Sequence, residues 1–288
     1  MRVLVTGATG FVGRHVVTEL VARGHVVRAV ARDAERLGSM PWSAEVELIS
    51  CDAFAAGESR MFADRPDAMV HLAWPGLPNY LDQFHMDTNL PADLALLARA
   101  RDGGVKQVMV AGTCLEYGLQ DGALEEDGET RPTTPYGVAK DRLRSHLMEW
   151  RQPGEFAVKW MRLFYMHGPG QNPRSVLAQL DAAIDRGDPS FDMSPGDQLR
   201  DYLHVHEVAS DLADALESQD LDGVFNVCSG KPISILELVR RRCAERGRFP
   251  AINTGVFPYP MYEPFAFWGL PRKLEPLREA RRQQPGGR

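Results

Sequence analysis

Between its first strand-forming run and its first helical stretch the chain reads Gly7-Ala8-Thr9-Gly10-Phe11-Val12-Gly13. Residues 3–6 form a short apolar run ending in threonine. Residues 14–23 put Val16, Val17, Leu20 and Val21 on one helical face. Glycines at spacing three in this position supply a tight turn, a close backbone approach and a helix start in succession. Free backbone N–H groups and the positive end of a helix then converge where a pyrophosphate binds. With 26 glycines in 288 residues, a triplet at this spacing arises by chance in roughly one chain in five. Its place between the first strand and first helix is what makes it specific.

The rhythm that follows fixes the fold class. Gly24-His25 stops the helix and residues 26–31 form the next strand. Further strands are expected at 45–50, 68–73 and 107–111, with a helix over 89–100. Strands alternating with crossover helices require a parallel sheet with right-handed connections. The expected fold class is α/β: a Rossmann-type doubly wound parallel sheet with a smaller α/β C-terminal substrate lobe. The dinucleotide-binding domain is assigned to residues 1–162, completed by strands around 200–206 and 224–228. Residues 163–278, with turn chemistry at 168–173, a helix over 176–186 and a proline- and aromatic-rich stretch at 250–276, form the substrate lobe. Residues 279–288 read as a flexible tail.

Composition narrows the partners. A formal net charge of −6 argues against a nucleic-acid surface. Cys51, Cys114, Cys228 and Cys243 have neither CxxC nor Cys/His spacing, so no disulfide framework and no metal are expected. His204 and His206 alternate along a strand but lack a third ligand. No apolar run reaches the ~18 residues of a membrane span, and the opening residues are too short an apolar stretch for a secretory signal. A cytoplasmic protein is expected.

The second strand ends Ala29-Val30-Ala31-Arg32-Asp33. An acidic residue at its end accepts the ribose hydroxyls of NAD; a small residue followed by arginine makes room for a 2′-phosphate. Ala31 with Arg32 favours NADP(H). NAD(H) stays open, with Arg32 solvated and Asp33 taking the ribose. Asp52, beside Ala53 after the third strand, is placed to meet the adenine edge or to cap a helix.

Tyr136 and Lys140 stand one helical turn apart on one face. A fixed cation favours the phenolate, which would make Tyr136 an acid/base near neutral pH. Thr113 stands at the carboxyl end of the fifth strand, where open sheets bind ligands.

Together these residues resemble the extended short-chain dehydrogenase/reductase family of NAD(P)-dependent nucleotide-sugar epimerases, dehydratases and reductases. The resemblance runs through Thr6–Gly13, His71-Leu72-Ala73, Thr113 with Glu116-Tyr117-Gly118, and Tyr136/Lys140. It continues through Arg162–Tyr165, residues 168–171, Arg200–Val205 and Asn226–Gly230. It implies dinucleotide contacts from Gly7, Gly10, Phe11, Val12, Gly13, Leu72 and Ala73. Tyr136 is then the catalytic acid/base, Lys140 its tuner and ribose ligand, and Thr113 the hydroxyl on the reacting oxygen. Arg200 and Tyr202 match positions facing a substrate diphosphate, although a strand-end ion pair and a packed core ring serve as well. Asn172 and Phe191 fall near nucleotide contacts.

Departures sharpen the expected reaction. Cys114 and Leu115 replace the Asp-Glu pair of 4,6-dehydratases, which disfavours dehydration and leaves Cys114 either inert or facing substrate. Tyr165 replaces the usual asparagine, and an expected arginine is replaced near Pro260, while Glu263 keeps the nearby acid. Trp74, Tyr80, Tyr262, Phe267 and Trp268 either line the substrate or pack the core. The expected activity is NADPH-dependent reduction of a nucleotide-linked 4-keto-6-deoxyhexose. The alternatives are an NAD-dependent epimerase and, more remotely, a non-catalytic dinucleotide sensor. The resemblance also implies a homodimer through helices near 91–101 and 140–150.

Overall fold

Residues 1–55, 57–152 and 154–283 are described by the computed structural model. The first half alternates β1 (Arg2–Thr6), α1 (Phe11–Ala22), β2 (Val26–Ala31), α2 (Ala34–Gly38), β3 (Glu47–Ser50), β4 (Ala68–His71), α3 (Leu90–Asp102) and β5 (Gln107–Thr113). A short strand β6 (Gly122–Leu124) precedes α4 (Pro135–Trp150) and β7 (Ala157–Leu163). The second half holds β8 (Tyr165–His167), α5 (Val176–Arg186), β9 (Ser190–Asp192), β10 (Leu199–His204), α6 (Val205–Glu217) and β11 (Gly223–Val227). It ends with β12 (Pro232–Ser234), α7 (Ile235–Arg246), β13 (Ala251–Asn253), β14 (Phe267–Gly269) and α8 (Glu275–Gln283).

Seven strands form one parallel sheet in the order β3-β2-β1-β4-β5-β7-β11. Alternation along β1 divides the core: Val3 and Val5 pack on the side of α1 and α6, Leu4 on the side of α3 and α4. Both faces of the sheet are covered, as a parallel sheet requires. The order reverses between β1 and β4, so a crevice opens at their carboxyl ends. Among the described residues, no helix is long and apolar enough to cross a membrane.

Two expectations are corrected. The strand near 200–206 does not complete the central sheet: β10 pairs with β8 and β12 instead. Only β11, near 224–228, joins the large sheet, beside β7. Residues 279–283 are not a frayed tail but the last turns of α8. That helix docks on α6 because Arg278 and Arg281 reach the fully buried carboxylate of Asp211. Residues 284–288 lie outside the described residues.

Candidate active site

The glycine loop is shaped by contacts that tolerate no side chain. Gly7 has φ +69°, and a Cβ there would lie 2.8 Å from the Ala73 nitrogen. A Cβ on Gly13 would stand 2.1 Å from the Gly7 carbonyl oxygen. Gly10 caps α1 without a side-chain hydrogen bond. The first-turn N–H groups of Phe11, Val12 and Gly13 are thus left without partners inside the helix.

Two cavities meet at this loop, and Gly7, Gly10, Leu72 and Trp74 line both. The first, of about 260 Å³, is walled by Ala31, Arg32, Asp52, Ala53 and Ala73. Asp33 is committed elsewhere, capping α2 by accepting from the Arg36 N–H at 3.0 Å. Asp52 accepts from the Phe54 N–H at 3.1 Å and still faces the cavity. Arg32 is exposed, with no side-chain hydrogen bond or ion pair among the described residues. The second cavity, of about 300 Å³, holds Thr113, Cys114, Tyr136, Lys140, Tyr165 and Glu263. Their union is an elongated cleft across the crevice, with helix N–H groups at its middle, and these residues fit a dinucleotide.

Tyr136 lies in the first turn of α4, which Thr134 caps by accepting from the Gly137 N–H at 3.0 Å and Pro135 opens with its fixed φ. Its backbone N–H donates to the Tyr80 carbonyl at 3.2 Å. The Tyr80, His85 and Trp74 rings surround the phenol at 5.4, 5.2 and 5.8 Å between centroids. Lys140 Nζ donates to the Ala111 carbonyl at 2.7 Å.

The electrostatics correct one expectation. Burial pushes the Tyr136 phenol above its ordinary range, reinforced by Tyr80 and Glu116 and opposed by a hydrogen bond with Thr113. The Lys140 ammonium is held on the Ala111 carbonyl and beneath Trp74. Burial in turn lowers Lys140 to about 8, against the charges of Asp93 and Glu116.

Thr113 is held by groups to which the sequence assigned no role. Its N–H donates to Glu116 Oε1 at 2.8 Å, and its hydroxyl accepts from the Leu115 N–H at 3.3 Å. Glu116, fully buried, also accepts from Trp160 Nε1 at 2.9 Å and Arg162 Nε at 2.8 Å. A Cβ on Gly112 would strike the Trp160 indole nitrogen at 2.2 Å. Below the glycine loop, Thr6 Oγ1 meets His71 Nδ1 at 2.7 Å, and His71 Nε2 meets Asp93, all three buried. Glu116, Arg162 and His71 fell within motifs without an assigned role; Asp93 and His85 carried no local signal.

The expected substrate residues divide. Cys114, Tyr165 and Glu263 line the second cavity, and burial pushes the Cys114 thiol up. Tyr202 packs on Tyr165 at 5.4 Å between centroids. Arg200 is buried in an ion pair with Glu263 at 2.9 Å and donates to the Leu199 and Phe265 carbonyls at 2.8 and 3.0 Å. Phe191 is not at the cavity but in the C-terminal lobe's own core with Leu180 and Val239. Asn172 is exposed, its side chain accepting from the Arg174 N–H at 2.8 Å. Trp74 and Tyr80 line the cavity, Tyr262 rests on Tyr80, and Phe267 is buried against Phe164. His204 and His206 face one another and the His167 and His15 rings. Among the described residues no group of three such side chains is arranged to hold a metal.

Comparison with known proteins agrees with this geometry. Residues 3–228 match the model of the NAD dependent epimerase/dehydratase family. The dTDP-6-deoxy-L-talose 4-dehydrogenase (NAD(+)) of Aggregatibacter actinomycetemcomitans is 30% identical over 272 residues, covering 93% of this chain and 99% of that protein. The UDP-glucose 4-epimerase of Mycolicibacterium smegmatis is 28% identical, covering 83% of this chain and 80% of that one. Among solved structures, MoeE5 in complex with UDP-glucuronic acid and NAD superposes with TM-score 0.82 at 30% identity, covering 96% and 92% of the two chains. The chain therefore belongs to the NAD dependent epimerase/dehydratase family, as an enzyme of the extended short-chain dehydrogenase/reductase group.

Proposed function

We propose that the protein is a cytoplasmic, NADPH-dependent reductase of a nucleotide-linked 4-keto-6-deoxyhexose, with Tyr136 as the proton donor. The observation that carries this reading is that the buried Tyr136 phenol and Thr113 open into one cavity, continuous past the glycine loop with a second that presents the unpaired Arg32. The dehydrogenase relative acts, by its name, at C4 of a 6-deoxyhexose nucleotide. Its name also gives NAD(+), so the preference for NADPH rests on Ala31 and Arg32 of this chain alone.

Bound NADPH supplies a hydride for the carbonyl carbon. Thr113 donates a hydrogen bond to the carbonyl oxygen, orienting it. As the C=O electron pair moves onto that oxygen, Tyr136 gives up its phenolic proton and a secondary alcohol results. Burial favours the protonated phenol, which is the form a reduction requires. The ammonium of Lys140, one turn along α4, offsets the negative charge left on Tyr136.

The test is consumption of NADPH against NADH with a dTDP-4-keto-6-deoxyhexose. Arg32→Ala should weaken NADPH binding by about tenfold or more, the worth of a charge-assisted contact, and leave NADH binding little changed. Equal use of both reductants by the wild type, or an indifferent Arg32, refutes the NADPH assignment. The epimerase relatives favour a second reading, an NAD-dependent 4-epimerase. Isomerisation of a nucleotide hexose without net redox change would establish it over the reductase. We also propose dimerisation through α3 and α4; a monomeric mass in light scattering would refute it.

A further inference from the structure

Resting on the nucleotide-sugar reading above, we infer that Tyr80 is a substrate-binding residue whose phenol hydrogen-bonds the sugar hydroxyl at C3, beside the reacting C4 carbonyl. Tyr80 lines the second cavity with Thr113 and Tyr136. Its backbone carbonyl accepts from the Tyr136 N–H at 3.2 Å, and the two rings lie 5.4 Å apart between centroids, tilted by 38°. The Tyr262 ring stands 5.8 Å from it. One backbone bond and two ring contacts thus fix Tyr80 beside the proton donor.

The other polar side chains of this cavity are already engaged. Thr113 and Tyr136 meet the carbonyl oxygen in the reaction. Lys140 is held by the Ala111 carbonyl. Tyr165, Glu263 and Arg200 are partners of one another. The Tyr80 hydroxyl makes no hydrogen bond among the described residues. Burial, with the Cys114, Tyr262 and Glu263 groups nearby, pushes this phenol up to about 12. At neutral pH it is therefore an uncharged hydroxyl that can donate one hydrogen bond and accept another.

The chemistry of the substrate says which oxygen it meets. With the C4 carbonyl on Thr113 and Tyr136, the neighbouring sugar carbons are C3 and C5. In a 4-keto-6-deoxyhexose C5 carries hydrogen, the methyl group and the ring oxygen, so the hydroxyl beside the carbonyl is the one at C3. A sugar without that hydroxyl leaves the Tyr80 phenol unmatched. The contact is made in the ground state and the transition state alike, so its loss raises KM and leaves kcat little altered.

The experiment compares the steady-state reduction of dTDP-4-keto-6-deoxyglucose and of its 3-deoxy analogue, followed as oxidation of the dinucleotide. The wild type should prefer the parent sugar about tenfold in kcat/KM, the worth of one hydrogen bond whose partner is left unmatched. Tyr80→Phe keeps the ring contacts with Tyr136 and Tyr262. It should bring the two sugars to within about threefold of one another by raising KM for the parent. No preference in the wild type, a preference that Tyr80→Phe leaves intact, or a loss confined to kcat overturns the inference. If the wild type binds dinucleotide but reduces neither sugar, the reductase reading itself falls, and this inference with it.

Discussion

The ammonium of Lys140 lies 3.7 Å from the centre of the Trp74 ring, so the charged end of the Tyr136/Lys140 pair is capped by an aromatic face. Trp74 is itself tethered, its Nε1 donating to His85 Nδ1 at 3.0 Å. The buried His85 ring also meets the Asn79 carbonyl through Nε2 at 3.0 Å. With the Ala111 carbonyl on its other side, Lys140 is fixed in place and dehydrated.

That confinement sets a pH dependence. Burial lowers Lys140 from 10.5 to about 8, so the charge is present below that value and lost as pH rises through it. The kcat/KM profile, which reports groups of the free enzyme, should therefore fall on an alkaline limb centred near 8. An activity that stays level to pH 10 would show that the charge on Lys140 does not serve the reaction.

Tyr136→Phe removes the proton donor while keeping the ring that packs on Tyr80, His85 and Trp74. General-acid groups contribute about 10²- to 10⁴-fold, and the turnover rate should drop by that much. Dinucleotide affinity, measured by fluorescence titration, should stay within about fivefold, because a single hydroxyl contact is worth about 1 kcal/mol or less in a site with many others. Retained turnover would remove Tyr136 from the chemistry.

Some of this was written locally in the sequence. The glycine loop and the Tyr136/Lys140 pair are encoded by spacings of three and four residues, and periodicity alone places them on a turn and a helix. The supports of the site are not local. Glu116 and Arg162 are 46 residues apart, His71 and Asp93 22, and Arg200 and Glu263 63. Which carboxylate meets which arginine is decided by the crossovers that bring β5 beside β7 and the C-terminal lobe over the cleft. Phe191 shows the same limit from the other side. A phenylalanine in a three-residue strand looks alike from sequence whether it faces a ligand or a core, and here α5 and α7 enclose it.

Glu116 tests whether a buried ion pair holds the Thr113 turn. Glu116→Ala leaves the Arg162 guanidinium buried without its carboxylate and frees the Thr113 N–H. Breaking one side of a buried pair costs about 3–5 kcal/mol, which denaturant unfolding would report as a lower midpoint with an unchanged slope. Replacing both residues with leucine should cost less than the sum of the two single changes, because no unpaired charge remains. Additive costs would mean that the pair is not coupled.

The helix α8 offers a separate test of what closes the sheet's α6 face. Arg278 donates to Asp211 through Nε at 3.0 Å and to the Cys228 carbonyl at 2.8 Å, while Arg281 approaches the same carboxylate at 3.2 Å. Asp211 has no solvent exposure, and these two arginines are its ion-pair partners. Arg278→Ala removes the better placed one and exposes the underside of the helix. Arg281 still offsets part of the charge, so the expected cost is about 3 kcal/mol, the low end for breaking a buried pair. In a chain of this length that corresponds to a fall of about 6 °C in Tm. Arg281→Ala, with Arg278 still in place, should cost about 1 kcal/mol, as for a partly exposed pair. Thermal unfolding of the two variants at pH 7 reads this order directly, and equal, negligible shifts would mean that α8 contributes nothing to holding the fold.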